Sequence, residues 1–206
     1  MTFPGEQAQR TRSYGRHGAK GGPWLMFLKG FVKHPVMVGS VIPSSKMLID
    51  KMLAPVDWAN CKLFVEYGPG VGTFTEFLLQ RMAPDATLIT IDTNPDFTTY
   101  LTEKFRDSRL IAVTGSATDV REIIAGAGHE QADYILSGLP FSTLPPGVGP
   151  AIGKATAEAI RPGGAFLVYQ FSPKVRDFIA PYFPRITKGF EWKNIPPATL
   201  FWAWKD

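Results

Sequence analysis

Three glycines at alternate positions, Gly68, Gly70 and Gly72, follow a short apolar run that ends in an acidic residue. Glycine lacks a Cβ, so this segment can turn tightly out of a buried strand and bring backbone N–H groups against a ligand. The dinucleotide fingerprint G-x-G-x-x-G would need a third glycine at position 73, which is threonine. The spacing therefore favours S-adenosylmethionine over NAD as the cofactor.

A second acidic position supports a nucleoside cofactor. Asp92 ends a β-branched run over 86–92, where a carboxylate can accept hydrogen bonds from both ribose hydroxyls. A third run, 110–117, ends in small residues that suit the space beside an adenine ring. From these runs we predict the following cofactor-binding residues: Glu66, Gly68, Gly70, Gly72, Asp92, Thr93, Ser116 and Ala117.

Length and composition favour one domain. A chain of 206 residues with 45% hydrophobic content can bury a sizeable core and carry a short extension. Cys61 is the single cysteine, so no intrachain disulfide can form and a reducing, cytoplasmic compartment is expected. The first residues lack the apolar core of a secretory signal, and the longest uncharged stretch is interrupted by prolines. We expect no membrane span and predict no metal site.

Charge is concentrated near the start of the chain. Residues 1–51 carry a net charge of +6, and the remainder sums to −2. A basic segment joined to a near-neutral body suggests attraction to a polyanion, either nucleic acid or an anionic lipid surface, although such a block also serves simply as a solvated tail. We predict a basic, flexible arm over 1–22, helices over 23–54 and a catalytic domain over 55–206.

The pattern from residue 62 alternates strands with helices, as in a doubly wound α/β sheet. Its last two strands are close in sequence and must pair antiparallel. The predicted fold is a seven-stranded Rossmann-like sheet with an antiparallel C-terminal hairpin. Strands are predicted at 62–67, 86–92, 110–115, 133–138, 164–171, 185–194 and 197–205. Helices are predicted at 46–54, 73–82, 95–106, 119–126, 147–161 and 174–183.

The segment 23–33 predicts an amphipathic helix. Proline at its first position suits a helix start, and aromatic residues then recur on one face with lysines elsewhere. Such a helix can lie in a lipid interface, and it is equally compatible with a lid over the cofactor pocket. Ser44 or Ser45 is expected to cap the helix that follows. The residues of this segment predicted to contact membrane or substrate are Trp24, Phe27, Lys29, Phe31 and Lys33.

Three segments, 34–53, 65–79 and 137–145, resemble bacterial phospholipid N-methyltransferases, which convert phosphatidylethanolamine to phosphatidylcholine. The resemblance extends over most of the chain and rests mainly on the G-S-V-I-P-S-S and S-G-L-P sequences. It implies a class I methyltransferase fold and a protein bound peripherally to an anionic membrane. It also places Ser44, Ser45 and Ser137 near the cofactor and implies membrane binding by 23–33.

The same architecture also resembles ribosomal RNA adenine dimethylases. Those enzymes carry N-L-P-Y or N-L-P-F after the fourth strand, where the asparagine holds the adenine amine and the aromatic ring stacks on the flipped base. Here Gly138 replaces the asparagine and Phe141 retains the aromatic position. We also expect no extra C-terminal helical domain of the kind usual in the RNA enzymes. Lipid is therefore favoured over RNA as the substrate, and no nucleic-acid partner is expected. The alternatives are adenine N6-methylation of ribosomal RNA and methylation of ornithine lipids or another small amphipathic molecule.

Candidates for the catalytic base are His34 and Tyr169. A histidine titrates near neutrality, but His34 also suits a helix end, and Tyr169 can equally pack in a core. Phe141 is predicted to contact substrate, and four aromatic residues are candidates for a cage around a methylated ammonium: Phe141, Tyr169, Phe171 and Trp192. Lys174 and Arg176, like the lysines of 23–33, are candidates for contacts with lipid phosphate.

Overall fold

The computed structural model describes residues 43–170, 175–193 and 197–206. The predicted arm 1–22 and the predicted helix 23–33 lie outside the described residues. The helices are α1 (Pro43–Leu53), α2 (Thr73–Arg81), α3 (Pro95–Phe105), α4 (Val120–Gly126), α5 (Val148–Ala159) and α6 (Val175–Ile179). The strands are β1 (Leu63–Tyr67), β2 (Thr87–Asp92), β3 (Leu110–Thr114), β4 (Ala132–Ser137), β5 (Ile160–Gln170), β6 (Arg185–Glu191) and β7 (Ala198–Trp204).

The strands form one seven-stranded sheet in the order β3-β2-β1-β4-β5-β7-β6. Strands β1 to β5 are parallel, and β7 runs antiparallel between β5 and β6. The predicted α/β fold with an antiparallel C-terminal hairpin is confirmed. Because β6 is antiparallel to β7, it runs in the same direction as β5, and the two strands end at the same edge of the sheet.

Both faces of the central strands are covered by helices, which explains why these strands are apolar throughout. All five residues of β1 and all six of β4 are buried. Alternate side chains of β1 serve two cores: Val65 and Tyr67 pack on the side of α4 and α5, and Phe64 packs on the side of α1 and α2. Cys61 is fully buried as a free thiol, in agreement with the expectation for this residue.

Several predicted boundaries are wrong. The strand predicted at 185–194 ends at Glu191, and three other errors involve proline or an irregular strand. Helix α1 begins at Pro43, whose fixed φ suits a first helical position, so Ser44 and Ser45 lie inside the first turn instead of capping it. Helix α6 ends at Ile179 because Pro181 lacks an N–H group. Strand β5 begins at Ile160, and its pairing with β4 shifts register before it becomes regular.

Local capping sets the start of α3, which follows the acidic end of β2. Asn94 is the N-cap residue, and its side-chain oxygen accepts a hydrogen bond from the Asp96 N–H at 2.9 Å. Pro95 occupies the first helical turn, where a missing N–H group costs nothing. The chain therefore turns directly from the end of β2 into α3.

Candidate cofactor and acceptor site

The loops after β1, β3 and β4 are joined at the carboxyl edge of the sheet. Each begins with a glycine whose N–H group donates to a carbonyl of the neighbouring strand: Gly68 to Ile91 at 2.9 Å, Gly115 to Asp92 at 2.9 Å and Gly138 to Tyr67 at 3.1 Å. These bonds extend the ladder of hydrogen bonds beyond the regular strands. The loops that carry most of the predicted cofactor residues therefore have a fixed register.

The glycine loop is strained for any other residue. Gly68 and Gly72 have φ values of 63° and 80°. A Cβ on Gly68 would come within 2.9 Å of Leu139 Cδ2, and one on Gly72 within 2.6 Å of Leu101 Cδ2. At Gly70, in contrast, a Cβ would meet nothing within 4 Å. The backbone of all three positions favours glycine, since Gly70 also has a positive φ of 54°, and Gly70 in addition faces open space.

Glu66, the acidic residue before the loop, is buried with 3% of its surface exposed. Its Oε2 accepts a hydrogen bond from Thr75 Oγ1 of α2 at 2.6 Å. Burial raises the pKa of Glu66 to about 7, against the opposing effect of the Thr75 hydrogen bond, and the nearby Asp92 raises it further. Among residues 43–170, 175–193 and 197–206, no cationic side chain pairs with this carboxylate.

Asp92 is the second buried carboxylate at this edge, with 6% of its surface exposed. Its Oδ1 accepts the Asn94 N–H at 2.9 Å. Burial raises the pKa of Asp92, and backbone hydrogen bonds from Asn94, Gly70 and Thr93 oppose the shift. Gly70 and Asp92 therefore lie close together, and the sequence predicts that both bind the cofactor.

The smaller predicted residues lie in the loops beside these carboxylates. Ser116 begins a 3₁₀ turn over Ala117–Asp119, and its Oγ accepts the Thr118 N–H at 3.2 Å. Ala117 is buried. Ser137 is fully buried at the end of β4, and its Oγ accepts the Leu139 N–H at 3.2 Å. Both serine side chains thus fix the shape of the loops that follow β3 and β4.

Gly138, at the position where an N-L-P-F segment has asparagine, lies in close contact with Tyr169. A Cβ on Gly138 would lie 2.3 Å from Tyr169 Oη and 3.0 Å from Cζ. The phenol of β5 therefore occupies the space that a side chain at position 138 would need. The ring stacks on Phe74 of α2 at a centroid distance of 4.9 Å. Burial, together with the charge of Glu66, raises the pKa of Tyr169, so the hydroxyl stays protonated at neutral pH.

The predicted aromatic cage is not assembled around Tyr169 by the described residues. Phe141 is 3% exposed and packs on Phe178, with centroids 6.3 Å apart. Both rings line a cavity of about 200 Å³ together with Leu144 and the proline-rich loop. Trp192 is 77% exposed, so it encloses no site, which corrects its predicted place in the cage.

Several predicted residues lie outside the described part of the chain. These are His34, Trp24, Phe27, Lys29, Phe31, Lys33, Phe171 and Lys174. The side chains of Ser44 and Ser45 are likewise outside it. Arg176 lies in α6 with its side chain at the surface.

Three residues of the candidate site were not predicted from the sequence. Thr75 and Phe74 lie in the first turn of α2, and Gln170 ends β5 and donates from Nε2 to the Leu139 carbonyl oxygen. A signal existed for Gln170, since an amide at the end of an otherwise apolar strand is a buried polar group that needs a partner. No local pattern pointed to Phe74.

The residues present fit S-adenosylmethionine. A ligand with an ammonium group and a ribose diol would supply partners to two buried carboxylates whose pKa values are raised, and the open side of Gly70 leaves space for it.

Within residues 43–170, 175–193 and 197–206, no cluster of His, Cys, Asp and Glu has the size to hold a metal ion. No helix of those residues is long and apolar enough to cross a membrane.

Solved structures with the same fold are methyltransferases. The N-methyltransferase NodS from Bradyrhizobium japonicum superposes with a TM-score of 0.63 at 12% identity, over 80% of this chain and 98% of that one. The 1,6-didemethyltoxoflavin-N1-methyltransferase from Burkholderia thailandensis, solved with S-adenosylhomocysteine, gives 0.63 at 12% identity over 93% and 94%. Fold and site together define a class I S-adenosylmethionine-dependent methyltransferase.

One curated relative identifies the family more narrowly. The ornithine lipid N-methyltransferase of Singulisphaera acidiphila is 31% identical over 182 residues, which are 87% of this chain and 95% of that enzyme. No model of a known protein family matches the chain. The chain belongs to the family of this enzyme and is an S-adenosylmethionine-dependent N-methyltransferase.

Proposed function

We propose that the protein methylates the amine of an ornithine lipid at a membrane surface. The observation that carries this proposal is the 31% identity to an ornithine lipid N-methyltransferase over nearly the whole of that enzyme. This substrate was an alternative in the sequence analysis, where phosphatidylethanolamine was the main prediction. Phosphatidylethanolamine remains the second candidate because of the G-S-V-I-P-S-S and S-G-L-P sequences.

The cofactor is assigned to the carboxyl edge of the first four strands. Glu66 would bind the ammonium of the methionine moiety, and Asp92 would accept hydrogen bonds from the ribose. Backbone groups at Gly70 would approach the cofactor from the open side of the loop, and Ser116 and Ala117 would contact the adenine. Ser44, Ser45, Thr93 and Ser137 remain predicted cofactor contacts.

Bound S-adenosylmethionine supplies a methyl group that is already activated by the sulfonium. The protein then mainly has to hold an amine in line with that group, and such positioning contributes roughly 7–11 kcal/mol in well-oriented systems. The amine resembles that of lysine, with a pKa around 10, so it must lose a proton before it can attack. Entry into the apolar surroundings of Phe74 and Tyr169 lowers that pKa and releases the proton to solvent.

Tyr169 is the residue that we propose to orient the amine. Its hydroxyl makes no hydrogen bond to the described residues, and it lies at the carboxyl edge beside Gly138. Because its raised pKa keeps it a phenol, it is unsuited to act as a base. Its oxygen can instead accept one N–H of the neutral amine and so direct the nitrogen lone pair. His34 remains a predicted base, outside the described residues.

The direct test is transfer of a radiolabelled methyl group from S-adenosylmethionine. Ornithine lipid and phosphatidylethanolamine are offered separately in otherwise identical anionic vesicles, with small-subunit ribosomal RNA particles in a third reaction. Products are separated by extraction into organic solvent, and chromatography of the lipid phase counts the methyl groups added. A Gly70→Trp variant, in which the open side of the loop is filled, serves as the inactive control.

Label in ornithine lipid at a kcat/KM well above that for phosphatidylethanolamine supports the proposal. The reverse preference would restore phosphatidylethanolamine as the substrate. Label confined to the RNA would mean that Gly138 does not exclude adenine and that the lipid assignment is wrong.

A further inference from the structure

Trp192 is the most exposed large apolar side chain in the described part of the chain, at 77%. It follows β6 directly, and its ring meets Phe190 edge-on at a centroid distance of 4.3 Å. Lys193 comes next and is also exposed. An indole left in water beside a lysine is a costly arrangement for a purely aqueous surface, and it is the pairing that anchors proteins at a membrane interface.

The position of Trp192 follows from the sheet register. Gln170, Thr199 and Phe190 lie in one row across β5, β7 and β6. Trp192 is therefore two residues beyond that row, at the same carboxyl edge as Tyr169 and the glycine loop. Strand β6 lies two strands from β5, which corresponds to about 10 Å. A flat surface that touches Trp192 would thus face the proposed acceptor site.

A lysine of helix α1 contacts the end of β6 and holds it in place. Lys51 Nζ donates to the Phe190 carbonyl oxygen at 2.5 Å and pairs with the Glu191 carboxylate at 3.6 Å. Glu191 Oε1 also accepts the Lys193 N–H at 3.0 Å. The acidic side chain is buried, whereas Lys51 and Lys193 reach solvent. The charge presented outward is positive, which complements lipid phosphate.

We propose that Lys51, Phe190, Trp192 and Lys193, here called the β6 corner, bind the interface of an anionic phospholipid bilayer. The indole enters the interface, and the two lysines lie among the phosphates. This contact turns the carboxyl edge of the sheet towards the lipid headgroups. This proposal rests on the proposed function, because binding at the β6 corner would bring the acceptor site to the lipid that is methylated.

The test compares two double variants of the full chain. Trp192→Ala/Lys193→Ala removes the exposed indole and one cation from the β6 corner. Ile111→Ala/Arg121→Ala removes an exposed apolar side chain from β3, the opposite edge strand, and an exposed cation from α4. Binding is measured by flotation with vesicles of phosphatidylcholine and phosphatidylglycerol, and methyl transfer to ornithine lipid is measured in those vesicles and in detergent micelles.

The corner variant should bind vesicles at least about tenfold more weakly than the wild type, with unchanged turnover in micelles. The control variant should match the wild type in all assays. Equal vesicle binding by the corner variant overturns the proposal. A wild type that floats with vesicles but transfers no methyl group to ornithine lipid contradicts the proposed function, and weaker flotation of the corner variant would then still support the β6 corner.

A second measurement identifies what covers the indole. The Trp192 contribution to fluorescence is obtained as the difference between the wild type and Trp192→Phe. Quenching of this contribution by brominated phospholipid supports insertion into the bilayer. If it is not quenched and instead shifts to the red when residues 23–33 are deleted, that segment of the chain covers the corner, and the membrane proposal is wrong.

Discussion

The residue types at positions 138 and 169 constrain each other, because the Tyr169 hydroxyl occupies the space that a side chain at position 138 would need. With Tyr169 Oη 2.3 Å from the place of a Cβ at position 138, any larger residue there must displace the phenol. Glycine at position 138, where an N-L-P-F segment has asparagine, therefore does more than omit a polar group. It admits a hydroxyl from a different strand, which changes the chemistry offered to an incoming amine.

The Tyr169→Phe variant removes the hydroxyl and tests whether it orients the amine. We expect Tyr169→Phe to lower kcat by about tenfold or more, because the amine loses the acceptor that orients it. The dissociation constant for S-adenosylmethionine, measured by calorimetry, should stay within about twofold, since the ring and its stacking on Phe74 remain. An unchanged kcat would show that Tyr169 only packs.

The steric coupling can be measured separately as stability. Gly138→Ala should lower the free energy of unfolding by about 1–3 kcal/mol in the wild type and clearly less in the Tyr169→Phe background, where Oη is absent. Urea unfolding of the four proteins gives the coupling energy. Gly126→Ala is the matched control, because a Cβ there meets nothing within 4 Å. Additive effects of Gly138→Ala and Tyr169→Phe would contradict the contact.

Glu66 carries a stability cost that the cofactor is expected to relieve. Its pKa is about 7 in the folded protein against an ordinary value of 4.5. Between these pH values the folded state binds more protons than the unfolded state, so stability falls as pH rises through this window. The full cost, about 3 kcal/mol, is present above pH 7.

Glu66→Gln should therefore stabilise the cofactor-free protein at pH 8 by up to about 3 kcal/mol and flatten its stability profile between pH 4.5 and 7. It should also weaken S-adenosylmethionine binding by tenfold or more, because the ammonium partner is lost. Urea unfolding across this pH range checks the first effect, and calorimetry checks the second. Glu76→Gln, on the exposed face of α2, should change neither quantity.

At the scale of elements, α2 is the helix that brings Phe74 and Thr75 to the site, and its far end is held by Arg109. The guanidinium donates to the carbonyl oxygens of Leu79 and Met82, each at 2.8 Å, and pairs with Asp107 at 2.7 Å. These bonds satisfy carbonyls that a helix end leaves without partners. Residues just before β3 thus fix the helix that follows β1.

Arg109→Ala should lower the free energy of unfolding by about 2–3 kcal/mol, because two carbonyls and a carboxylate lose their partner. Arg109→Lys should recover less than half of this loss, since an ammonium does not reproduce the planar fork. Thermal and urea unfolding provide the measurement. Arg121→Ala breaks an exposed ion pair with Glu158 and should cost under about 1 kcal/mol. A comparable loss in both alanine variants would refute the capping role.

At the scale of the whole molecule, the basic segment 1–51 and the β6 corner both favour an anionic surface. We expect deletion of residues 23–33 to reduce lipid methylation in vesicles at least tenfold and to leave S-adenosylmethionine binding within about twofold. Raising salt from 0.1 M to 1 M shortens the screening length from about 10 Å to about 3 Å, so vesicle activity should fall over this range. Full activity of the deletion variant on vesicles, at either salt concentration, would contradict a role in membrane binding.

The sequence by itself determined the succession of strands and helices along the chain, the antiparallel C-terminal hairpin, and the positions of the glycine loop and Asp92 at the ends of strands. These features depend on local properties: periodic burial, the conformational freedom of glycine and the common edge at which parallel strands end. The predicted ends of helices were less accurate near prolines, because a proline can either stop a helix or occupy its first turn. The predicted helix 46–54 leaves out Pro43, although this residue begins α1.

Only the tertiary structure decided which side chains are neighbours in the candidate site. The contact of Tyr169 with Gly138, the stacking of Phe74 and the raised pKa of Glu66 depend on which strands are neighbours and how deeply each group is buried. The exposure of Trp192 likewise depends on β7 lying between β5 and β6. Neighbours across a sheet are distant in the chain, and local patterns of residue type do not specify the distances between them.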